Sequence, residues 1–528
     1  MQGPAAFEPA LADSGSRSRL RAALPELGLA ALLAASLAWR LPHLGDYVHD
    51  DTFISLRYAR NLLRGQGLTF NPGEHVEGYT NFLWTILLAA LQGLHVDAVR
   101  ASACLSALAS LVLVALAYRF GVRYAALPHR AWALAAPLFL AAQPFLRAES
   151  LGGLETTLFV LLVFVGFERH VAEERGECRT GASGAAFGIA TLVRPEGALL
   201  FGALLAARGV ERRNMRSVAS DLVVFALLVA PHLAFRRAYY GEWLPNTYYA
   251  KVGWSLAQAQ RGLRYAWRYG NDILPLPALA LCAYGAWGGG WRRKALWLAA
   301  VHVAYVVAVG GDYMPTGRFL ILPLPFVALL LQSALSNVRS ALGTHTRFAA
   351  AFPVAVALLA AAWTFTAGSL RLEGRRWPAV DELNLVSRRF LGKWLRTTLP
   401  RDSEVAIGTI GAVGYYSDLP LLDTFGITEP EIGRKPVVGM GSAWAGHEKG
   451  DADVVLRHAP RVIVFNNTWV APHALSQVEF LRGAYSATER MLLEEPRFFR
   501  MYGLRTIPSP GGWLHYLERL PDSLRTSC

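Results

Sequence analysis

The stretch His49-Asp50-Asp51-Thr52-Phe53-Ile54-Ser55-Leu56-Arg57-Tyr58-Ala59-Arg60 decides how this chain is read. It follows the first apolar run directly and sets two carboxylates side by side where a membrane span should end. Carboxylates at a membrane edge are costly to desolvate and are functional candidates by default. Phe53, Leu56, Ala59, Leu62 and Leu63 form one apolar stripe at helical spacing, with Arg57, Arg60 and Arg64 on another face. That pattern predicts a helix lying in the membrane interface. Aspartate before Thr-Phe-Ile-Ser-Leu is also a good helix N-cap. Successive helical residues point about 100° apart, so at most one of Asp50 and Asp51 faces a central cavity, where its chemistry would be that of a general base.

The rest of the chain supports a membrane setting. Of 528 residues, 53% are hydrophobic and 17% charged, a charged share below that of soluble proteins. Long apolar runs recur, which marks a polytopic membrane protein. The net charge of +13 does not indicate nucleic acid, because the arginines fall in short clusters between apolar runs, the positive-inside pattern. Cys104, Cys178, Cys282 and Cys528 show no paired spacing, which argues against a disulfide framework or a metal site.

Counting arginine clusters outward from the opening stretch gives a topology of about eleven spans. Residues 1–21 read as a cytoplasmic tail. The spans are 22–39, 98–118, 131–146, 156–168, 182–193, 197–208, 218–235, 271–288, 295–310, 319–338 and 348–370. The first is a retained anchor rather than a cleaved signal, since so many spans follow it. Segment 79–96 lies at the interface, which keeps Arg119, Arg123 and Arg130 cytoplasmic. Segments 182–193 and 197–208 are short and predict a hairpin meeting at Val193-Arg194-Pro195-Glu196-Gly197. Non-helical backbone at that depth lines a cavity. Large outer loops occupy 43–97 and 236–268, within a transmembrane domain of residues 22–370. From 371 to 528 the chain is more polar, with strands at Glu404–Gly408 and Arg461–Phe465 and a helix over 381–397. The fold class is therefore an α-helical polytopic membrane protein with a C-terminal soluble α/β domain on the extracytoplasmic side.

Four further charged motifs fall on the same face as Asp50-Asp51. In Gly152-Gly153-Leu154-Glu155-Thr156, Glu155 either orients a ligand or simply starts a helix. At the hairpin tip, Arg194 and Glu196 either serve a site or pair with each other. The loop from Arg236 to Lys251 breaks the positive-inside rule, as do Arg261, Arg264 and Arg268, and cations on the disfavoured side suggest an anionic partner such as a lipid phosphate. Its aromatics, Tyr248 among them, suit either sugar stacking or the membrane interface. In Gly310-Gly311-Asp312-Tyr313-Met314-Pro315-Thr316-Gly317-Arg318, the Asp312–Arg318 pair either binds ligand or pins the turn.

Seven motifs run in order over most of residues 24–435. They are Asp50-Asp51, Phe70-Asn71-Pro72-Gly73-Glu74-His75-Val76-Glu77, Gly153-Leu154-Glu155, Leu192-Val193-Arg194-Pro195-Glu196, Tyr239-Tyr240-Gly241 with Ala250-Lys251, Gly310-Gly311-Asp312, and Asp423-Thr424-Phe425-Gly426-Ile427-Thr428-Glu429-Pro430. In this set and order the chain resembles the GT-C glycosyltransferases, and more closely the mycobacterial terminal β-(1→2)-arabinofuranosyltransferase group. The resemblance implies a GT-C-like transmembrane fold in a bacterial inner membrane, surrounded by membrane lipid. It implies a polyprenyl-phosphate sugar donor, a glycan or lipid-linked acceptor, inversion at the anomeric carbon and a site facing the periplasm. It also implies a first-loop aspartate as base, Asp50 first and Asp51 second, and a C-terminal domain that helps hold the acceptor. Arg57, Arg194, Lys251 and Arg318 would then hold the donor phosphate, whose charge grows as the bond breaks. Glu77, Glu155, Glu196, Asp312 and Tyr248 would contact sugar or acceptor. Residues 246–249 depart from the arabinosyl pattern, so arabinofuranose and other pentoses or hexoses stay open. No residue is assigned to a metal; Mg²⁺ or Mn²⁺ beside the phosphate is compatible with the carboxylates but not required by them. The alternative is a transporter or flippase of a lipid-linked sugar, with the acidic pair as a proton site. That reading predicts polar groups reaching both faces and inverted repeats, whereas the motifs crowd one side and no repeat is found.

Overall fold

A computed structural model of the chain describes residues 13–210, 215–274, 276–342, 379–437, 439–466, 470–510 and 512–521, with parts of 358–372. Three described helices are long and apolar enough to cross a bilayer: Ala23–His43, Ala98–Tyr124 and Met215–Tyr240. The chain runs through α1 (Asp13–Arg40), α2 (Asp50–Leu63), α3 (Phe82–Gly93), α4 (Ala98–Tyr124), α5 (Ala135–Ala142), α6 (Pro144–Glu149) and α7 (Thr156–Glu174). It continues through α8 (Ala182–Val193), α9 (Glu196–Val210), α10 (Met215–Tyr240), α11 (Asn246–Lys251), α12 (Leu256–Ile273), α13 (Leu276–Ala286), α14 (Trp291–Ala308) and α15 (Leu324–Leu342).

Small residues let these helices approach closely, as in membrane bundles generally. A Cβ added to Gly184 of α8 would lie 2.1 Å from the Asp221 carbonyl of α10, and one on Gly166 of α7 would strike the Phe187 ring at 2.7 Å. Aromatic side chains fill the interior, with Phe120 packed against Phe164, Phe167 and Trp291. At one end of the bundle Arg208 is buried between Asp221 (2.7 Å) and Glu173 (3.4 Å). Asp221 also accepts from the Gly181 and Gly184 amides, and Lys294 pairs with Glu174.

Several sequence expectations change. The helix opening the bundle begins at Asp13, inside the stretch expected to be a tail; residues 1–12 and most of 348–370 lie outside the described residues. The span expected at 131–146 is broken at Gln143-Pro144 into α5 and α6, because proline removes a helical donor. The loop expected at 236–268 is largely helical. Ser255 caps α12 by accepting from the Gln258 amide, and Gly262 seats α12 against α14, with its Cβ position 2.2 Å from the Val307 carbonyl.

The largest change concerns α2. It does not lie open on the interface: Thr52, Phe53, Leu56, Tyr58 and Ala59 are fully buried, and so is Arg57. The cover comes from the C-terminal domain, through α16 (Ala379–Thr398) and α17 (Ile410–Ser417). Behind them stands a six-stranded sheet of β1 (Val405–Ile407), β2 (Leu421–Asp423), β3 (Val462–Val464), β4 (Val470–Ala471), β5 (Tyr502–Ser509) and β6 (Gly512–Arg519). Its order is β2-β1-β3-β6-β4, with β5 paired to β6. The first three strands are parallel and buried on both faces, which explains their uninterrupted Val/Ile/Leu character.

Candidate active site

Asp50 and Asp51 open α2 and diverge as helical geometry requires. The Asp50 carboxylate turns to the C-terminal domain, where it accepts from the Gly411 amide (3.2 Å) and the Ala412 amide (3.0 Å) at the start of α17. Arg388 lies 3.4 Å away. Burial pushes this carboxyl above the usual range, against the pull of Arg388 and the two amides. Asp51 turns the other way, into a cavity of about 240 Å³. Its carboxylate lies 3.6 Å from Arg318. Burial raises the Asp51 carboxyl, but Lys251 and Arg318, helped by His49 and His447, outweigh it and hold the group below the usual range. Asp51 is thus an ionised acceptor facing open space.

The cavity gathers most of the motifs singled out in the sequence. Asp51, Glu155, Arg194, Glu196, Tyr248, Lys251, Asp312 and Arg318 all line it. Arg194 bonds both Glu155 (3.0 Å) and Glu196 (2.9 Å), so the carboxylates of two motifs share one guanidinium. Asn81 donates to the second Glu155 oxygen at 2.8 Å. Arg318 is held by Asp312 at 2.6 Å through Nε, and its charge is stabilised well above the ordinary range, since Asp312 and Asp51 outweigh the effect of burial. Gly310 and Gly311 turn with φ of 87° and 70°, and a Cβ on either would collide with α12, so this turn presents Asp312 by lying flat on that helix. Tyr248 accepts from the Trp254 indole at 2.8 Å. Lys251 has no ion-pair partner within bonding distance among the described residues.

Three expected site residues do not reach the cavity. Asp50 is one, for the reason above. Arg57 is another: it donates to the carbonyls of Phe70 (2.7 Å), Gly414 (2.8 Å) and Leu419 (2.8 Å) and to Asn71 Oδ1 (3.1 Å). With four of its five N–H donors so used, this buried guanidinium docks two domains instead of facing the cavity. Glu77 is the third, locked in a bidentate pair with Arg236 at 2.6 and 3.1 Å.

Other residues at the site were not anticipated. Asn81, Tyr305 and Tyr313 line the cavity, together with Arg261, one of the outer-face cations marked in the sequence. Behind Asp51, His49 meets Glu149 at 3.1 Å, and Thr316 donates to the same oxygen at 2.5 Å. Burial raises the Glu149 carboxyl, but His49 and Arg318 bring it below the usual range. The C-terminal domain adds Ile427, Ala445 and Gly446 to the lining, with His447 packed edge-on against Tyr313 at 4.6 Å. Among the described residues, no group of three or more His, Cys, Asp or Glu side chains is gathered closely enough to hold a metal ion.

Known proteins are similar to this chain in sequence or in fold. Residues 378–505 match a family described as a domain of unknown function (DUF8728). A terminal β-(1→2)-arabinofuranosyltransferase of Corynebacterium glutamicum is 32% identical over 57% of this chain and 50% of its own length. Its counterpart from Mycobacterium tuberculosis is 32% identical over 39% of this chain and 35% of its own length. The chain therefore spans half or less of these relatives. Among solved structures, ArnT from Cupriavidus metallidurans bound to undecaprenyl phosphate has a TM-score of 0.57 at 14% identity, covering 94% of this chain and 98% of that one. The archaeal oligosaccharyltransferase AglB from Archaeoglobus fulgidus, in complex with an inhibitory peptide and a dolichol-phosphate, has a TM-score of 0.53 at 11% identity, covering 95% and 77%. The chain is a multi-pass membrane protein with the GT-C fold of ArnT and AglB, and it is distantly similar in sequence to the terminal β-(1→2)-arabinofuranosyltransferases.

Proposed function

We propose that this protein is a membrane glycosyltransferase that moves a sugar, arabinofuranose or another pentose or hexose, from a polyprenyl-phosphate donor to a hydroxyl of an envelope glycan or lipid-linked acceptor. The observation that carries the reading is that Asp51 lines one cavity together with Lys251, Arg318 and Arg194. An ionised carboxylate beside cations suits a displacement in which one group gains a proton while another gains negative charge. Asp51, rather than Asp50, accepts the proton of the acceptor hydroxyl. The acceptor oxygen bonds to the anomeric carbon, the bond from that carbon to the phosphate oxygen breaks, and polyprenyl phosphate leaves. A single displacement from the opposite face inverts the centre.

Lys251 and Arg318 are assigned to the phosphate and Arg194, Glu155, Glu196 and Asn81 to the sugar. The pairing gives Asp51 a useful dependence on the ligand. Its carboxyl is kept acidic by Lys251 and Arg318. A phosphate that engages those cations weakens their hold, so the base strengthens when donor is present. A divalent cation would be held by Asp51 and Asp312, which already share the Arg318 guanidinium, so charge neutralisation is assigned to side chains. The cavity faces the periplasm on this proposal, the side on which the arginine count places all five motifs.

Purified protein supplied with radiolabelled polyprenyl-phosphate sugars and acceptor should form a glycosidic product, and Asp51→Asn should slow its formation at least about a hundredfold. Full transfer by Asp51→Asn would refute the base assignment. Transport of the lipid-linked sugar in proteoliposomes with no product would refute the enzyme.

A further inference from the structure

The C-terminal domain forms one wall of the cavity, through Ile427 and through a loop, 439–449, that contributes Ala445 and Gly446. The loop runs along the start of α12 closer than side chains would permit. A Cβ on Gly441 would sit 2.1 Å from the Gln258 amide nitrogen, and one on Gly253 would sit 2.5 Å from Met440 Cγ. Gly446 lines the cavity with the Lys251 stem laid against it, its Cβ position 3.3 Å from Lys251 Cε.

Glu448 fixes the loop. It is 7% exposed. One oxygen accepts from the Gly441 amide (2.5 Å) and the Ala443 amide (3.2 Å). The other meets Arg261 Nη1 at 2.8 Å. Arg261, on α12 and in the cavity lining, donates in turn to the Ala443 carbonyl (2.8 Å) and the Gly310 carbonyl (3.0 Å). One buried carboxylate therefore ties the C-terminal loop to α12 and to the turn that presents Asp312.

We infer that the C-terminal domain is a working part of the donor site: loop 439–449, through Glu448 and Gly446, sets Arg261 and Lys251 to receive the phosphate of the polyprenyl donor. The inference rests on the donor assigned above and deepens it. Glu448 is a positioning residue, since it touches Arg261 and not the ligand. Long cationic side chains lose rotamer freedom when they bind an anion, and holding them in place beforehand removes that cost from binding. Gly446 confines the Lys251 stem and Glu448 confines the Arg261 fork. A domain that served only to recognise acceptor would need neither contact.

Undecaprenyl phosphate binding to the purified full-length protein in nanodiscs tests this. Glu448→Gln should weaken binding about tenfold, within the range by which groups of one ion-pair network couple, and Glu448→Asp should recover part of the loss. Gly446→Val should weaken binding by displacing Lys251. The double variant Glu448→Gln/Arg261→Gln should bind no worse than Arg261→Gln alone, because Glu448 acts through Arg261. Glu431→Gln, which breaks an exposed pair with Arg457 in the same domain, should bind as wild type. In turnover, the donor KM should rise more than kcat falls. Wild-type affinity in both Glu448→Gln and Gly446→Val overturns the inference, as does full additivity of Glu448→Gln with Arg261→Gln. If Glu448→Gln does not fold, Gly446→Val decides alone. A wild-type protein that does not bind undecaprenyl phosphate overturns the donor assignment as well, so the two failures are distinguishable.

Discussion

Helix α7 has a buried ionic cluster at each end, and the two are built to opposite purposes. Its 19 residues separate them by about 28 Å. At its C-terminal end, Arg208 is 2% exposed and Glu173 and Asp221 are fully buried. There the acids are bonded to Arg208 and to backbone amides of α8 and the turn before it. At its N-terminal end, Glu155, Arg194, Glu196 and Arg318 are paired just as closely but surround open space. Asp51 there is 25% exposed. Charge inside a bundle therefore does not identify a site by itself. Unfilled volume beside the charge does.

The sharpest way to break this comparison is to remove one acid from each cluster. Asp51→Asn should lower transfer by about 10²- to 10⁴-fold, the range of a lost general base, and leave the thermal midpoint near that of wild type. Asp221→Asn should do the reverse. It removes the closer acid partner of Arg208 and leaves Glu173 at 3.4 Å to pair it, a change that costs about 1–3 kcal/mol of stability, read as a lowered thermal midpoint, while the folded fraction keeps its donor KM. A large loss of turnover without loss of stability in Asp221→Asn would erase the distinction.

Asp50→Asn tests the same contrast within one dipeptide. It weakens the charge-assisted bonds to Gly411 and Ala412 and the pair with Arg388, at a cost of about 1–3 kcal/mol. Limited proteolysis should show a loosened C-terminal domain, and kcat should fall far less than in Asp51→Asn. The smallest effect concerns His447. Burial, with Lys251 beside it, pushes its imidazole from 6.5 down to about 4. Between those values the unfolded chain binds the extra proton, so this group's contribution to stability is present above pH 6.5 and is lost as pH falls toward 4. His447→Gln should flatten the fall in thermal midpoint across that window by no more than one proton's worth of slope.

Much of this was legible in the sequence, for a physical reason. Burial in lipid demands long apolar runs, and the motifs interrupt them visibly, so Glu155, Arg194, Glu196, Lys251, Asp312 and Arg318 could be found from local pattern. The parallel strands of the C-terminal sheet announce themselves by the same rule. What could not be read was which side chain faces which neighbour. Asp50 and Asp51 are chemically identical, and the amides that claim Asp50 lie 361 and 362 residues away. Arg57 shares a helix face with Arg60 and Arg64 and read as a donor-phosphate ligand, and its carbonyl partners on Gly414 and Leu419 are as remote. Glu77 belongs to a recognisable motif yet serves only Arg236. The His49–Glu149 contact joins two residues with no shared local signature, 100 positions apart.

The same remoteness has a consequence for how the protein is made. Helix α2 leaves the ribosome well before the amides that hold Asp50, which follow about 360 residues later. At bacterial and eukaryotic synthesis speeds of about 5–20 residues per second, α2 waits roughly 20–70 s for its cover. During that interval Arg57 lacks two of its carbonyls and the cavity lacks the wall formed by loop 439–449. A chain interrupted before Gly446 would insert its helices and still have no finished cavity, so the proposed activity would be switched on only once loop 439–449 has been made.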